Sequence, residues 1–241
     1  MNNINERRLE VPARLPAGLE KFCRSHCRLV ALGLVSGHVM HDIRNALAVV
    51  SGHAQIIQIK GDKVSHEDVI RRMEQIIEQV ERILTTINQV GSFTSRASGN
   101  MADVAPDESL ENAVQALERR LENAGLKVLK KWMEAPRTLR CDASLFDFVL
   151  LQLLECCIPD KRSDGELSIL TSSGETGWEL KLNLSSKADD DGLFSGFLKI
   201  TEGFDLVAVL LSLKPMKAKL FLLSGPDHYG FRLLVPWDAG G

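Results

Sequence analysis

Met40-His41-Asp42-Ile43-Arg44-Asn45-Ala46-Leu47-Ala48-Val49-Val50 is the stretch on which the reading of this chain turns. It lies inside a longer pattern in which Leu32, Val35, Val39, Ile43, Ala46, Val50 and Ile57 recur at three-four steps, the period of an amphipathic helix. At about 100° per residue the apolar stripe centres between Val39 and Ile43. His41 then points almost directly away from it, with Arg44 and Asn45 close by, His38 flanking and Asp42 toward one edge. The helix is therefore expected to present a solvent-facing imidazole, an acid one residue later and a carboxamide one turn later. Such an imidazole is largely neutral at pH 7, because its reference pKa is about 6.5, so a ring nitrogen is available as a nucleophile. A neighbouring carboxylate can accept a hydrogen bond from the other ring nitrogen. The residue four positions on reaches the same space and can orient a water.

Working outward, Met73, Ile76, Val80, Ile83, Ile87 and Val90 carry the same period without interruption. Gly61-Asp62 closes the first helix, and Ser65-x-x-Asp68 opens the second in the manner of a capping box. The short connection makes the two helices antiparallel neighbours. Two such helices cannot bury their stripes against each other alone, and pairing of two copies into a four-helix bundle satisfies both. Residues 28–93 are thus expected to be a dimerising helical hairpin.

Before it, residues 1–27 form a charged leader with Pro12 and Pro16 that ends in a short helix or none. After it, residues 94–108 are rich in Ser, Gly, Asn, Asp and Pro and read as a linker. Residues 109–241 mix periods: helices over 109–124 and 146–157 and an apolar run over 207–213, with strands over 126–132, 166–171, 178–184, 219–224 and 231–235. That alternation predicts an α+β class with a two-layer α/β sandwich.

Composition limits the partners. Of 241 residues, 29 are Lys or Arg and 32 are Asp or Glu, a formal charge of −3 that argues against nucleic acid. Five cysteines in a chain this long suit a reducing, cytoplasmic setting better than a disulfide framework. Met1 to Arg14 lacks the apolar core of a signal peptide, and the charged and polar residues between Leu29 and Ile59 exclude a membrane span.

A lone exposed histidine is most often a plain surface residue. Here the whole segment, on a dimerising hairpin followed by an α/β module, resembles the phosphoacceptor box of sensor histidine kinases, H-[DE]-x-x-N-P-L. The resemblance implies that His41 is the phosphorylated histidine, that Asp42 is its adjacent acid and that Asn45 is the position tied to phosphatase activity. Ala46 stands where the box has proline, which removes a kink. The family's architecture, a dimeric hairpin followed by an ATP-binding sandwich, would cover residues 28 to about 236.

The likeness fails where nucleotide chemistry is needed. Asp142-Ala143-Ser144-Leu145-Phe146 through Cys157 resembles the family's D-x-x-x-L…N-L-L-x-N-A helix, but Gln152 and Cys156 replace the two asparagines. A thiol is a poor ligand for Mg²⁺, which prefers oxygen. Ser185-Ser186-Lys187-Ala188-Asp189-Asp190-Asp191-Gly192 lacks the spacing of the D-x-G-x-G box, and the segment beyond it is short for an ATP lid. Tyr229-Gly230-Phe231-Arg232-Leu233-Leu234-Val235-Pro236 still resembles the closing strand. This combination resembles the dimeric, kinase-like histidine phosphotransferases of phosphorelays. The resemblance implies phosphoryl transfer between receiver-domain aspartates and His41, with Mg²⁺ supplied by the receiver, no ATP, and His38 and Arg44 as receiver or phosphoryl contacts.

Three other readings have distinct discriminators: a divergent histidine kinase that binds Mg²⁺-ATP, a response-regulator phosphatase using Asn45, and a pseudokinase scaffold in which His41 is dispensable. Elsewhere, Cys23-x-x-His26-Cys27 has helical metal-ligand spacing without a fourth partner. Cys156-Cys157 reads as buried thiols, Asp189-Asp190-Asp191 as a solvated loop and His53 as a packing residue. The lysines at 127, 130 and 131 are too few to imply nucleic acid.

Overall fold

The computed structural model describes residues 5–11, 33, 40, 43–61, 65–95, 101–132, 137–159, 162, 164–186, 204–225 and 228–237. The chain divides into two compact units, one of residues 32–95 and one formed by residues 1–31 together with 96–241.

The first unit holds helix α1, over 43–60, and helix α2, His66–Ser95. Gly61 follows α1 at φ +46°, a left-handed conformation that costs glycine no Cβ clash. Ser65 caps α2: its Oγ accepts from the Asp68 amide at 3.1 Å. The reciprocal half of the capping box is replaced by ion pairs, because the Asp68 carboxylate accepts from Arg71 and lies 3.4 Å from Arg72 Nε. The Arg71 bond holds that carboxyl below its ordinary value.

In α2 the single apolar stripe of the sequence resolves into two rows. Arg72, Ile76 and Ile83 are half-buried, and Arg72 Nη1 lies 3.3 Å from His53 Nδ1 on α1, which marks this row as the one turned toward α1. Ile70, Met73, Ile77, Val80, Leu84 and Ile87 are exposed. At about 100° per residue the second row lies roughly 90° around the helix from the first. Helix α1 repeats the arrangement, with Ala46 buried, Val50 and Ile57 half-buried, and Met40 and Leu47 exposed.

The second unit is α+β. Its sheet has the order β1-β7-β8-β6-β5-β3, from strands β1 (Asn5–Leu9), β3 (Lys127–Lys131), β5 (Gly165–Ser173), β6 (Gly177–Ser186), β7 (Lys219–Ser224) and β8 (His228–Pro236). It is mixed: β3 and β5 run parallel and the other neighbours antiparallel. A separate two-stranded sheet pairs β2 (Met101–Val104) with β4 (Leu139–Asp142). Three helices accompany these strands: α3 (Pro106–Asn123), α4 (Ala143–Cys156) and α5 (Phe204–Leu213).

Period-two burial shows which face of the sheet is covered. Trp178, Leu180, Leu182 and Leu184 on β6, and Phe231, Leu233 and Val235 on β8, are buried, while Glu179, Lys181, Arg232 and Leu234 between them are half-exposed. Trp178 packs edge-on against Phe146 of α4, with ring centroids 5.8 Å apart, and its Nε1 donates to Asp107 of α3 at 3.1 Å. Gly230 is required by this ladder, since a Cβ there would stand 1.7 Å from the Leu182 carbonyl oxygen.

Two boundaries differ from the sequence expectation. The stretch 94–108 expected as a linker contains the end of α2, all of β2 and the start of α3. Four-residue β2 is too short for its period to show, and its partner β4 comes from a distant part of the sequence. In the leader 1–27, residues 5–9 form an unexpected edge strand on β7, and residues 12–27, where the leader is expected to end in a short helix or none, lie outside the described residues. The Asn5–Leu9 strand is polar apart from Leu9, so alternation could not reveal it.

Candidate functional site

Two places bear on function: the start of α1, where the box lies, and α4, where a nucleotide would be read.

At the first, Arg44 and Asn45 are exposed on α1, ahead of the buried Ala46. They therefore stand on the solvent side of a helix whose other side packs. His38, His41 and Asp42 lie outside the described residues. Further along, His53 is half-buried against α2, in line with its reading as a packing residue, and the contact it makes is polar. Arg72 sits between His53 and Asp68. This array escaped the sequence reading because its members are polar; the signal available was that Asp68 and Arg72 share one helix face four residues apart. An open cavity of about 530 Å³ lies against the first turns of α2, lined by Ser65, Glu67, Asp68, Ile70, Arg71 and Glu74. Its lining mixes both signs of charge.

At the second place, Asp142 caps α4. Its carboxylate accepts from the amides of Ser144 at 3.0 Å and Leu145 at 3.2 Å, so the leading Asp of the D-x-x-x-L stretch has a structural task. From Ala143 to Cys156 every residue of α4 is buried except Glu155, which pairs with Arg120 of α3. The helix is predominantly apolar and packs against both α3 and α5. Gln152 is 3% exposed and Cys156 is 7% exposed. Cys157, next in line, is fully buried, and burial pushes its thiol well above the ordinary value.

This donor set does not fit Mg²⁺-nucleotide. A hard divalent cation needs several oxygen ligands with room for water, whereas the two positions at which the resembling helix carries asparagines hold a buried amide and a buried thiol. The acidic run at Asp189–Asp191 and the Cys23, His26 and Cys27 group lie outside the described residues. Among the described residues no cluster of three or more His, Cys, Asp or Glu is placed to hold a metal ion, and no helix is long and apolar enough to cross a membrane.

No family model and no curated protein matches the chain. Solved structures do. The chain is similar to the Acinetobacter baumannii histidine kinase AdeS, at 19% identity over 82% of this chain and 98% of that one, with a TM-score of 0.42. It is similar to the histidine kinase ThkA, solved in complex with the response regulator protein TrrA, at 16% identity over 99% of this chain and 75% of that one, TM-score 0.47. It is also similar to a structure described as a bacterial phosphotransferase, at 13% identity over 93% of this chain and 100% of that one, TM-score 0.44. These neighbours are distant. The functional reading rests on the chain's own residues.

Proposed function

We propose that this chain is a dimeric histidine phosphotransferase of two-component signalling, which takes a phosphoryl group from one receiver-domain aspartate onto His41 and passes it to another. The observation that carries the choice is the complete packing of α4, with Gln152 and Cys156 enclosed where a kinase resembling this chain would hold Mg²⁺-ATP. A chain that keeps the acceptor box but carries Gln152 and Cys156 in place of the two asparagines would need its phosphate delivered by a partner.

In the forward step a ring nitrogen of His41 attacks phosphorus. A P–N bond forms, the P–O bond to the receiver aspartate breaks, and the carboxylate leaves on the receiver. Asp42 accepts the hydrogen bond from the second ring nitrogen and stabilises the charge that develops there. The receiver supplies Mg²⁺, so this chain's task is to position a nucleophile. Exposed Arg44 and Asn45 support the reading, since both lie at the surface of α1. Arg44 and His38 contact the receiver or the phosphoryl oxygens, and Asn45 orients water in any loss of phosphate. The exposed apolar rows of α1 and α2 support homodimerisation into a four-helix bundle, because each helix then has a second partner roughly 90° around from the first.

Titration calorimetry with Mg²⁺-ATP tests the choice between transferase and kinase. The proposal expects no saturable heat up to millimolar nucleotide. Micromolar binding accompanied by label on His41 would establish the kinase reading instead.

A further inference from the structure

We infer that Asp68, Arg72 and His53 form a rotational key: this array, and not apolar burial, decides which side of α2 faces α1. The observation behind it is an inversion. The row of α2 turned toward α1 holds Val69, Ile76 and Ile83 but also Asp68, Arg72 and Gln79, all half-buried. The row about 100° farther round holds Ile70, Met73, Ile77, Val80, Leu84 and Ile87, each between 42% and 55% exposed and none of them polar. The α1 seam opposite is apolar apart from His53, with Ala46 buried and Ile43, Val50 and Ile57 half-buried. Burial of apolar area alone would turn the second row of α2 onto that seam and leave Arg72 in water.

What opposes that turn is directional. A guanidinium only donates, so His53 Nδ1, 3.3 Å from Arg72 Nη1, is the acceptor. Arg72 Nε lies 3.4 Å from Asp68 Oδ2, one helical turn back on the same face, and Arg71 holds the same carboxylate from outside. The Arg72 side chain is only 15% exposed, so its charge is enclosed at the point where both partners meet it. Val50 and Ile57, one turn to either side of His53 on α1, offer no side-chain acceptor. Rotating α2 by one residue step would carry Arg72 off the seam and break its contact with His53. One setting of the pair therefore satisfies the guanidinium, and that setting keeps the more apolar row outward. The key belongs to the hairpin alone and does not depend on the chemistry at His41.

Spin labels on azide-bearing residues at exposed positions 48 and 78 read the setting as a distance between α1 and α2. The labels are carried by 241-residue chains diluted into unlabelled protein, so that each distance is measured within one chain. The wild type is expected to give one narrow distribution. The double variant His53→Leu/Arg72→Leu removes the key and leaves no unpaired charge on the seam. In it α2 should turn, lengthening the distance by about 5 Å for helix axes about 9 Å apart, with helicity by circular dichroism unchanged. His53→Gln, which keeps a side-chain acceptor at position 53, should hold the wild-type distance. The wild-type distance in the double variant would overturn the key, because apolar packing would then suffice to set the rotation. Lost helicity in the double variant would overturn it too, as would a lengthened distance in His53→Gln.

Discussion

Arg232 Nε on β8 donates to Glu179 Oε1 on β6 at 2.7 Å, and Lys181 Nζ lies 3.0 Å from the same oxygen. Lys181 is the direct cross-strand neighbour of Arg232, so Glu179 stands between two cations that would otherwise repel. Burial raises the Glu179 carboxyl, but the hydrogen bonds from Lys181 and Arg232 outweigh it and leave the group below its ordinary value. A depressed carboxylate adds stability that is present above its unfolded value of about 4.5 and is lost as pH falls through its folded value. Urea midpoints of the wild type should therefore drop between pH 5 and pH 3. Glu179→Gln is expected to start lower at pH 7 and to fall less steeply.

The ladder between β6 and β8 predicts a contrast between two glycines. Gly230→Ala places a methyl inside the Leu182 carbonyl and should cost about 3 kcal/mol or more in urea unfolding. Gly52→Ala meets nothing within 4 Å in α1 and should stabilise its helix by about 0.5–1 kcal/mol. Equal effects at the two positions would contradict the close approach of the strands.

The two rows of α2 separate association from folding. Leu84 belongs to the exposed row, so in the proposed dimer Leu84→Asp should raise the dissociation constant at least about tenfold while helicity is retained. Ile83 belongs to the row turned toward α1, so Ile83→Asp should lower helicity as well. Analytical ultracentrifugation with circular dichroism distinguishes the two outcomes. Unchanged dimerisation in Leu84→Asp would remove the four-helix arrangement.

Much of this organisation is legible in the residues. The strong periods of α2 and of the β5, β6 and β8 strands declare themselves because each turns one face inward, β7 shows as a short apolar run, and helix ends follow from Ser65, Gly61 and Gly125. Gly125, at φ +73°, closes α3 as its position after the apolar run implies. What escaped has a physical reason in each case. β1 is too polar and β2 too short to show alternation, and their partners lie far along the chain. The division of one apolar stripe into an inner and an outer row depends on where α1 lies, which no local pattern encodes. At the site, the box itself was visible as a motif. The packing around Gln152 and Cys156 depends on α3 and α5 together, so only the fold could supply it.

The central claim is that phosphate reaches His41 from a receiver and not from ATP. The direct measurement exposes the 241-residue chain in parallel to a phosphorus-labelled phosphoreceiver and to γ-labelled Mg²⁺-ATP, and locates acid-labile label by peptide mass spectrometry. The account predicts label on the peptide containing His41 from the receiver alone, abolished by His41→Gln. Label from ATP alone, or receiver-derived label that survives His41→Gln, would contradict it.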